Sequence, residues 1–265
     1  MHEYFRDRTP TEKNQYTGMF QGKNLLLFTG EAFWIGAVNE QYTPTLYKLA
    51  HSGFVFENFY NPLWYYSTVD GEYAATTGLI PTNQVNASQR YAGKNGVSMY
   101  FSMGNQLRAL GYPTLAYHNN TANYYDRNLS HPNLGYDFYA CDTGLDVAMT
   151  WPQSDLEMMQ LTLPQALAGE KPFHNYYMTV SGHMNYSFAG NAMSAKHRDE
   201  VADLDMSEAA RAYLACNMEL DQALEYTIKT LEEAGELENT VIVLSGDHYP
   251  YGLDGTGAID ELAGE

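Results

Sequence analysis

The chain predicts an α/β fold, with a mostly parallel central sheet and helices on both faces, from three observations. Short apolar runs alternate with segments of helical periodicity. Several of those runs end in a residue that can bind a metal or move a proton. At 265 residues the chain is long enough to bury one large core.

In order along the chain, residues 1–22 are polar and aperiodic with Pro10, and predict a loosely ordered lead-in; the folded domain is expected over 23–265. Lys23-Asn-Leu-Leu-Leu-Phe-Thr29 predicts a buried strand with Gly30-Glu31 at its carboxyl end. Residues 43–53 predict a helix with Thr43 as cap, Pro44 at its first position and Gly53 as its stop. Phe54 to Tyr60 alternates as a strand, and after a loop through Pro62 residues 67–78 predict a helix. Residues 81–97, rich in Gly and Asn, predict a loop. An amphipathic helix is expected from Ser98 to Leu110, ahead of Gly111, then a strand from Tyr112 to Tyr117 that ends at His118. A Tyr/Asn-rich loop carries Arg127. A helix is expected from Asp155 to Leu167 despite Pro164, and a strand from Phe173 to Val180 ending at Ser181-Gly-His183. The longest helix should run from Ser207 to Ala234, stopped by Gly235. Val241 to Leu244 then predicts a strand buried on both faces, followed by Ser-Gly-Asp247-His248.

Composition excludes several classes. No apolar run approaches the length of a membrane span, and Met1-His-Glu-Tyr-Phe-Arg is no signal peptide, so a soluble chain is expected. The formal charge is -18, from 32 acidic against 14 basic residues, which repels nucleic acid and anionic membrane surfaces. An anionic substrate would need a local cation. Cys141 and Cys216 fit no zinc or CxxC spacing and read as buried thiols or one disulfide. The 23 tyrosines include Tyr65-Tyr66, Tyr124-Tyr125 and Tyr176-Tyr177, which suit strand ends and polar clefts, with core packing as the ordinary use.

Parallel strands bring their carboxyl ends to one edge, so Glu31, His118, His183, Asp247 and His248 should converge in one crevice. Alone, an Asp-His dipeptide is a turn cap beside an exposed imidazole; at the ends of four strands, coincidence is the weaker account. Carboxylate oxygen and imidazole nitrogen together suit a first-row divalent cation. Thr68 is the candidate nucleophile because a helix start favours a bound anion and an ionised oxygen, although from the local sequence alone an ordinary N-cap is the better account.

Leu27-Phe-Thr-Gly-Glu31-Ala-Phe, Thr43-Pro-Thr-Leu-Tyr-Lys-Leu-Ala, Asn58-Phe-Tyr, Thr68-Val-Asp-Gly-Glu72 and Ser245-Gly-Asp247-His248-Tyr249 together resemble the successive blocks of the lipoteichoic acid synthase family, within the sulfatase and alkaline phosphatase superfamily. Leu110-Gly-Tyr112, Tyr117-His118-Asn119, Asp126-Arg127, Leu134-Gly-Tyr136-Asp137 and Ser181-Gly-His183 fit between them. The resemblance implies one divalent cation, usually manganese with magnesium, zinc or calcium as alternatives, held by Glu31, Thr68, Asp247 and His248. It implies that Thr68 takes the glycerol-phosphate group of a phospholipid head group as a phospho-threonine, and that an alcohol, a glycerol-phosphate polymer end or water collects it. His183, His118, Arg127 and Tyr125 match positions around the phosphoryl or glycerol group, with His183 as acid or base and Arg127 as a charge clamp.

Ala32 stands where the family has Ser, and Tyr125 where it often has Trp, so substrate preference is open. The resemblance also leads one to expect a catalytic domain without its C-terminal portion, and membrane helices on the full-length protein, which would work at the extracellular face of a bacterial membrane. The other readings are an impaired relative that holds anionic cell-wall polymer, and a phosphoethanolamine transferase or phosphodiesterase. Neither cysteine begins the Cys/Ser-x-Pro-x-Arg block of a true sulfatase, and Thr68 points to phosphorus.

Overall fold

In a computed structural model, residues 6–9, 11–60, 67–81 and 88–264 are described. Five strands, β1 (Asn24–Gly30), β2 (Thr114–His118), β3 (Asp137–Ala140), β4 (His174–Met178) and β5 (Thr240–Gly246), form one sheet in the order β3-β2-β4-β1-β5. Every pairing is parallel.

Side chains of adjacent residues leave the sheet on opposite faces, and the apolar strands use both. Leu26 and Phe28 of β1, Tyr117 and Tyr177 face α6 (Asp155–Ala168), α8 (Glu208–Glu233) and Leu46 of α1 (Pro44–Ala50). Leu27, Ala116, Tyr176 and Met178 face Tyr73 of α2 (Thr68–Thr77), Ala92 of α3 (Ser88–Asn95) and the Leu134–Tyr136 turn. Tyr117, Tyr176 and Tyr177 therefore serve the core, whereas Tyr124 is half exposed. Registered pairs Phe28/Tyr177, Tyr177/Tyr117 and Tyr117/Tyr139 stack with ring centroids 5.0, 5.3 and 5.7 Å apart, a ladder across four strands.

α6 runs through Pro164, and α8 begins at Ser207, whose hydroxyl accepts the Ala210 N–H. Thr43 precedes α1, but its hydroxyl donates to the Ala37 carbonyl (2.7 Å) and leaves the helix uncapped by a side chain.

Several expectations are corrected. Residues 54–60 form no strand: Phe54 packs edge-on against Tyr16 and Phe20, and alternation without a sheet edge to join makes no ladder. Residues 88–95, expected as loop, are α3, fixed by Ala92 in the core and by Arg90 and Lys94 on Asp126. Within 98–110 only α4 (Met103–Ala109) is helical. β3 was unforeseen because its four residues carry one buried side chain, Ala140, and no apolar run. β5 is an edge strand with Val243 39% exposed, so it is not buried on both faces. Both cysteines are free thiols. The Pro62 loop and residues 82–87 of the expected loop lie outside the described residues.

Candidate metal and phosphoryl-transfer site

β2, β4, β1 and β5 are neighbours, so their carboxyl ends deliver His118, the 179–183 turn, Glu31 and Asp247-His248 to one edge of the sheet. Two glycines let the backbones close in. A Cβ on Gly182 would lie 2.2 Å from the Glu31 carbonyl oxygen, and one on Gly71 would lie 2.3 Å from that of Asp247. α2, which carries Thr68, thus rests directly on the β5 turn.

Glu31, Asp247 and His248 are buried, and each offers a ligand atom within 4.8 Å of the others. His248 Nε2 lies 3.3 Å from a carboxylate oxygen of Glu31 and 3.3 Å from one of Asp247. Its Nδ1 faces the Tyr249 carbonyl at 2.9 Å, which fixes the ring with Nε2 inward. Asp247 Oδ1 accepts the N–H groups of Ala32 and His248, both at 2.7 Å. Thr68 Oγ1 donates to Glu31 Oε2 at 3.2 Å, so the fourth expected ligand joins the other three. Thr68 is the first residue of its helix; the N-cap is Ser67, which the sequence reading had left to Thr68.

The electrostatics of this cluster fit a cation. Burial and the Glu31 charge push the Asp247 carboxyl up to about 8. Burial opposes ionisation of Glu31 as well, but His248 and His183 hold it below the ordinary carboxylate range. Burial also opposes charge on His248, yet Asp247 and Glu31 hold its imidazole up to about 9. One imidazolium balances one carboxylate, so the second acid, Asp247, ionises only with a further positive charge at its side, and a divalent cation would supply it. That donor set, oxygen with one imidazole nitrogen, suits a divalent first-row cation. Tyr186 and Tyr251 close over Glu31 and His248, leaving a crevice there too tight for a water molecule.

His183 is half-buried, its Nδ1 2.6 Å from the Met184 carbonyl, and its charge reaches Glu31. His118 is buried with Nδ1 2.9 Å from the Met178 carbonyl; burial and Arg127 push its imidazole down to about 3, so it is neutral. Arg127 is 1% exposed and its guanidinium grips Glu72, with Nε 3.0 Å and Nη2 2.9 Å from Oε2. Tyr125 lies between two guanidiniums, 5.7 Å from Arg90 and 5.4 Å from Arg127.

Among the described residues the non-glycine positions with left-handed backbone are Ala32, Ser67, Tyr125 and Asp126. Ala32 and Ser67 flank Glu31 and Thr68, and Tyr125 and Asp126 precede Arg127, so the strain gathers where these side chains are aimed. Neighbours over-determine them: Tyr213 donates to the Ala32 carbonyl (2.8 Å), and Arg90 and Lys94 hold Asp126 at 2.6 and 2.9 Å.

Sequence reasoning missed the supports. Asp155, at the start of α6, accepts the N–H groups of Val180 (3.0 Å) and Ser181 (3.2 Å), the Ser181 hydroxyl and the Asn119 amide (2.9 Å), tying the β2 and β4 ends together. No local motif marks it. Glu72 had a signal: four residues after Thr68, it must share a helix face with it.

A parallel sheet with acids and imidazoles gathered at its carboxyl edge, beside a hydroxyl on a helix start, defines the architecture of alkaline phosphatase-like proteins. The sulfatase family profile matches residues 23–262, and the chain belongs to that family. Lipoteichoic acid synthase 1 of Bacillus subtilis (strain 168) is 25% identical over 267 residues, covering 95% of this chain and 40% of that relative. The chain thus spans less than half the length of such curated relatives. The crystal structure of the lipoteichoic acid synthase LtaP from Listeria monocytogenes superposes with a TM-score of 0.76 at 22% identity, covering 93% of this chain and 61% of that one. The C-terminal periplasmic domain of EcEptC from Escherichia coli, solved in complex with Zn, gives a TM-score of 0.58 at 18% identity, over 86% of this chain and 64% of that one.

Proposed function

We propose that this chain is catalytic machinery of a metal-dependent phosphotransferase, which moves a glycerol-phosphate or similar head group from a phospholipid through a phospho-threonine to an alcohol or to water. The observation that carries the reading is the direct contact of Thr68 Oγ1 with Glu31, inside the buried cluster completed by Asp247 and His248.

Glu31, Thr68, Asp247 and His248 would hold the divalent cation, manganese by preference, which supplies neutralisation of charge on the threonine oxygen and the phosphoryl group. Thr68 Oγ1 already points its proton at Glu31 Oε2. The hydroxyl oxygen bonds to phosphorus, its proton passing to Glu31 Oε2, as the phosphorus bond to the lipid alcohol breaks, and His183 donates a proton to the departing oxygen. In the second half His183 takes the proton of the incoming alcohol or water, whose oxygen displaces Thr68, and Thr68 recovers its own proton from Glu31. Arg127 clamps the phosphoryl oxygens, while neutral His118 and Tyr125 shape the head-group side. The work would be done at the extracellular face of a bacterial membrane, where lipid and polymer substrates meet.

Turnover of a chromogenic glycerophosphodiester, or of fluorescent phosphatidylglycerol, should require manganese and vanish in Thr68→Ala. A Thr68→Ala protein that turns over normally ends this reading.

A further inference from the structure

Glu72 is not among the cluster's ligand groups, yet it is fully buried and ringed by donors. It is 0% exposed and receives four donors: Arg127 Nε (3.0 Å), Arg127 Nη2 (2.9 Å), His131 Nε2 (3.3 Å) and the Tyr176 hydroxyl (3.4 Å). A carboxylate has about four lone-pair sites, so none is left for substrate, and a role as base is ruled out by occupancy. Arg127 is used unequally. Its Nε and Nη2 edge is spent on Glu72, and among the described residues Nη1 makes a 3.4 Å contact with the Tyr124 carbonyl and no other hydrogen bond.

We infer that Glu72 is a positioning residue: it fixes the Arg127 guanidinium side-on, so that Nη1 is the donor presented to the transferred phosphoryl group. Resting on the transfer reading above, this assigns the residue that couples the clamp to the nucleophile. Thr68 and Glu72 are one turn apart on α2, with side-chain origins about 5–6 Å apart. Any motion of the nucleophile helix therefore carries the clamp with it. A buried ion pair seldom out-stabilises apolar side chains of the same volume, so mere packing does not explain four donors on one buried acid.

The experiment is steady-state kinetics at saturating manganese on Glu72→Gln, Arg127→Lys and the double variant. Circular dichroism and the manganese-induced rise in melting temperature serve as controls for fold and metal site. Glu72→Gln should keep the manganese response and lose about 10²- to 10³-fold in kcat, as should Arg127→Lys. The double variant should lose no more than either alone, because the two act as one unit. Glu72→Asp, which keeps the charge but shortens the reach, should recover part of the rate. If Glu72→Gln does not fold, Glu72→Leu with Arg127→Met removes both charges together and should bind manganese normally with the same loss of kcat. A folded Glu72→Gln or paired variant with kcat and KM within about twofold of the parent overturns the inference, as do losses that multiply in the double variant. Activity in Thr68→Ala would instead defeat the transfer reading itself.

Discussion

Gly71→Ala sets two physical effects against each other. In an exposed helix interior the substitution stabilises by about 0.5–1 kcal/mol, through helix propensity. Here a Cβ would stand 2.3 Å from the Asp247 carbonyl oxygen and 2.6 Å from its carbonyl carbon and Cα. These are backbone atoms, which cannot rotate aside. Reaching an ordinary contact of 3.4 Å from 2.3 Å requires α2 and the β5 turn to part by about 1.1 Å. Overpacking of that kind costs about 1–3 kcal/mol, enough to cancel or exceed the propensity gain. Thr68 lies three residues before Gly71 and contacts Glu31 at 3.2 Å, so the same displacement opens the nucleophile's contact with the cluster. A misplacement near 1 Å at reacting groups costs about 10²-fold in rate. The account therefore predicts that Gly71→Ala melts at or below the parent temperature and loses about 10²-fold in manganese-dependent diester turnover. A variant that melts higher and reacts at the parent rate would show that the close approach of α2 to Asp247 is not what holds Thr68 in place.

Asp247→Asn and His248→Ala should fold and lose the cation: a ligand at 100 times its Kd adds about 2.7 kcal/mol to stability, so the parent's melting temperature should rise with manganese and theirs should not. Removing His183 as His183→Ala should keep that rise and cost about 10²- to 10⁴-fold in turnover, whereas an unchanged rate strikes out its acid-base role. Acid should unfold the protein through two buried carboxylates. Burial opposes ionisation of Glu72 and Glu219, but Arg127 and His131 for the first, and His197, Lys196 and Ser154 for the second, hold both down to about 2. Their stabilisation is complete above the unfolded carboxylate value near 4.5 and is lost as pH falls from there toward 2, on the order of 3 kcal/mol each. Glu219→Gln should flatten that stretch of a melting-temperature profile between pH 5 and pH 3, and an unchanged slope would refute its share.

The sheet was legible because its interior strands are apolar runs with an obvious stop, and Leu25–Phe28 and Tyr176–Met178 can only be buried. β3 was hidden because a strand that buries one alanine carries no hydrophobic signature. The Phe54–Tyr60 alternation misled because periodicity records which side chains could share a face, whereas a strand also needs an edge to pair with. α3 was hidden by its polarity: what fixes it is Arg90 and Lys94 on Asp126, an ion pairing across 32 to 36 residues that no local window shows. The meeting of Glu31, Asp247 and His248 was readable because parallel strands dictate where their ends lie, whereas Thr68, on a helix, joined them as a ligand only through the family resemblance. Asp155 was not, because its partners come from two other strand ends, and Glu72 was visible only as a helix-face neighbour whose partner, Arg127, lies 55 residues on.

The most direct test is an anomalous-difference map from crystals grown with manganese. The account predicts one peak about 2.0–2.6 Å from Thr68 Oγ1, a Glu31 oxygen, Asp247 and His248 Nε2, the range for divalent cations on oxygen and nitrogen. A saturated crystal with its peak elsewhere, or with Thr68 outside the coordination sphere, would contradict it.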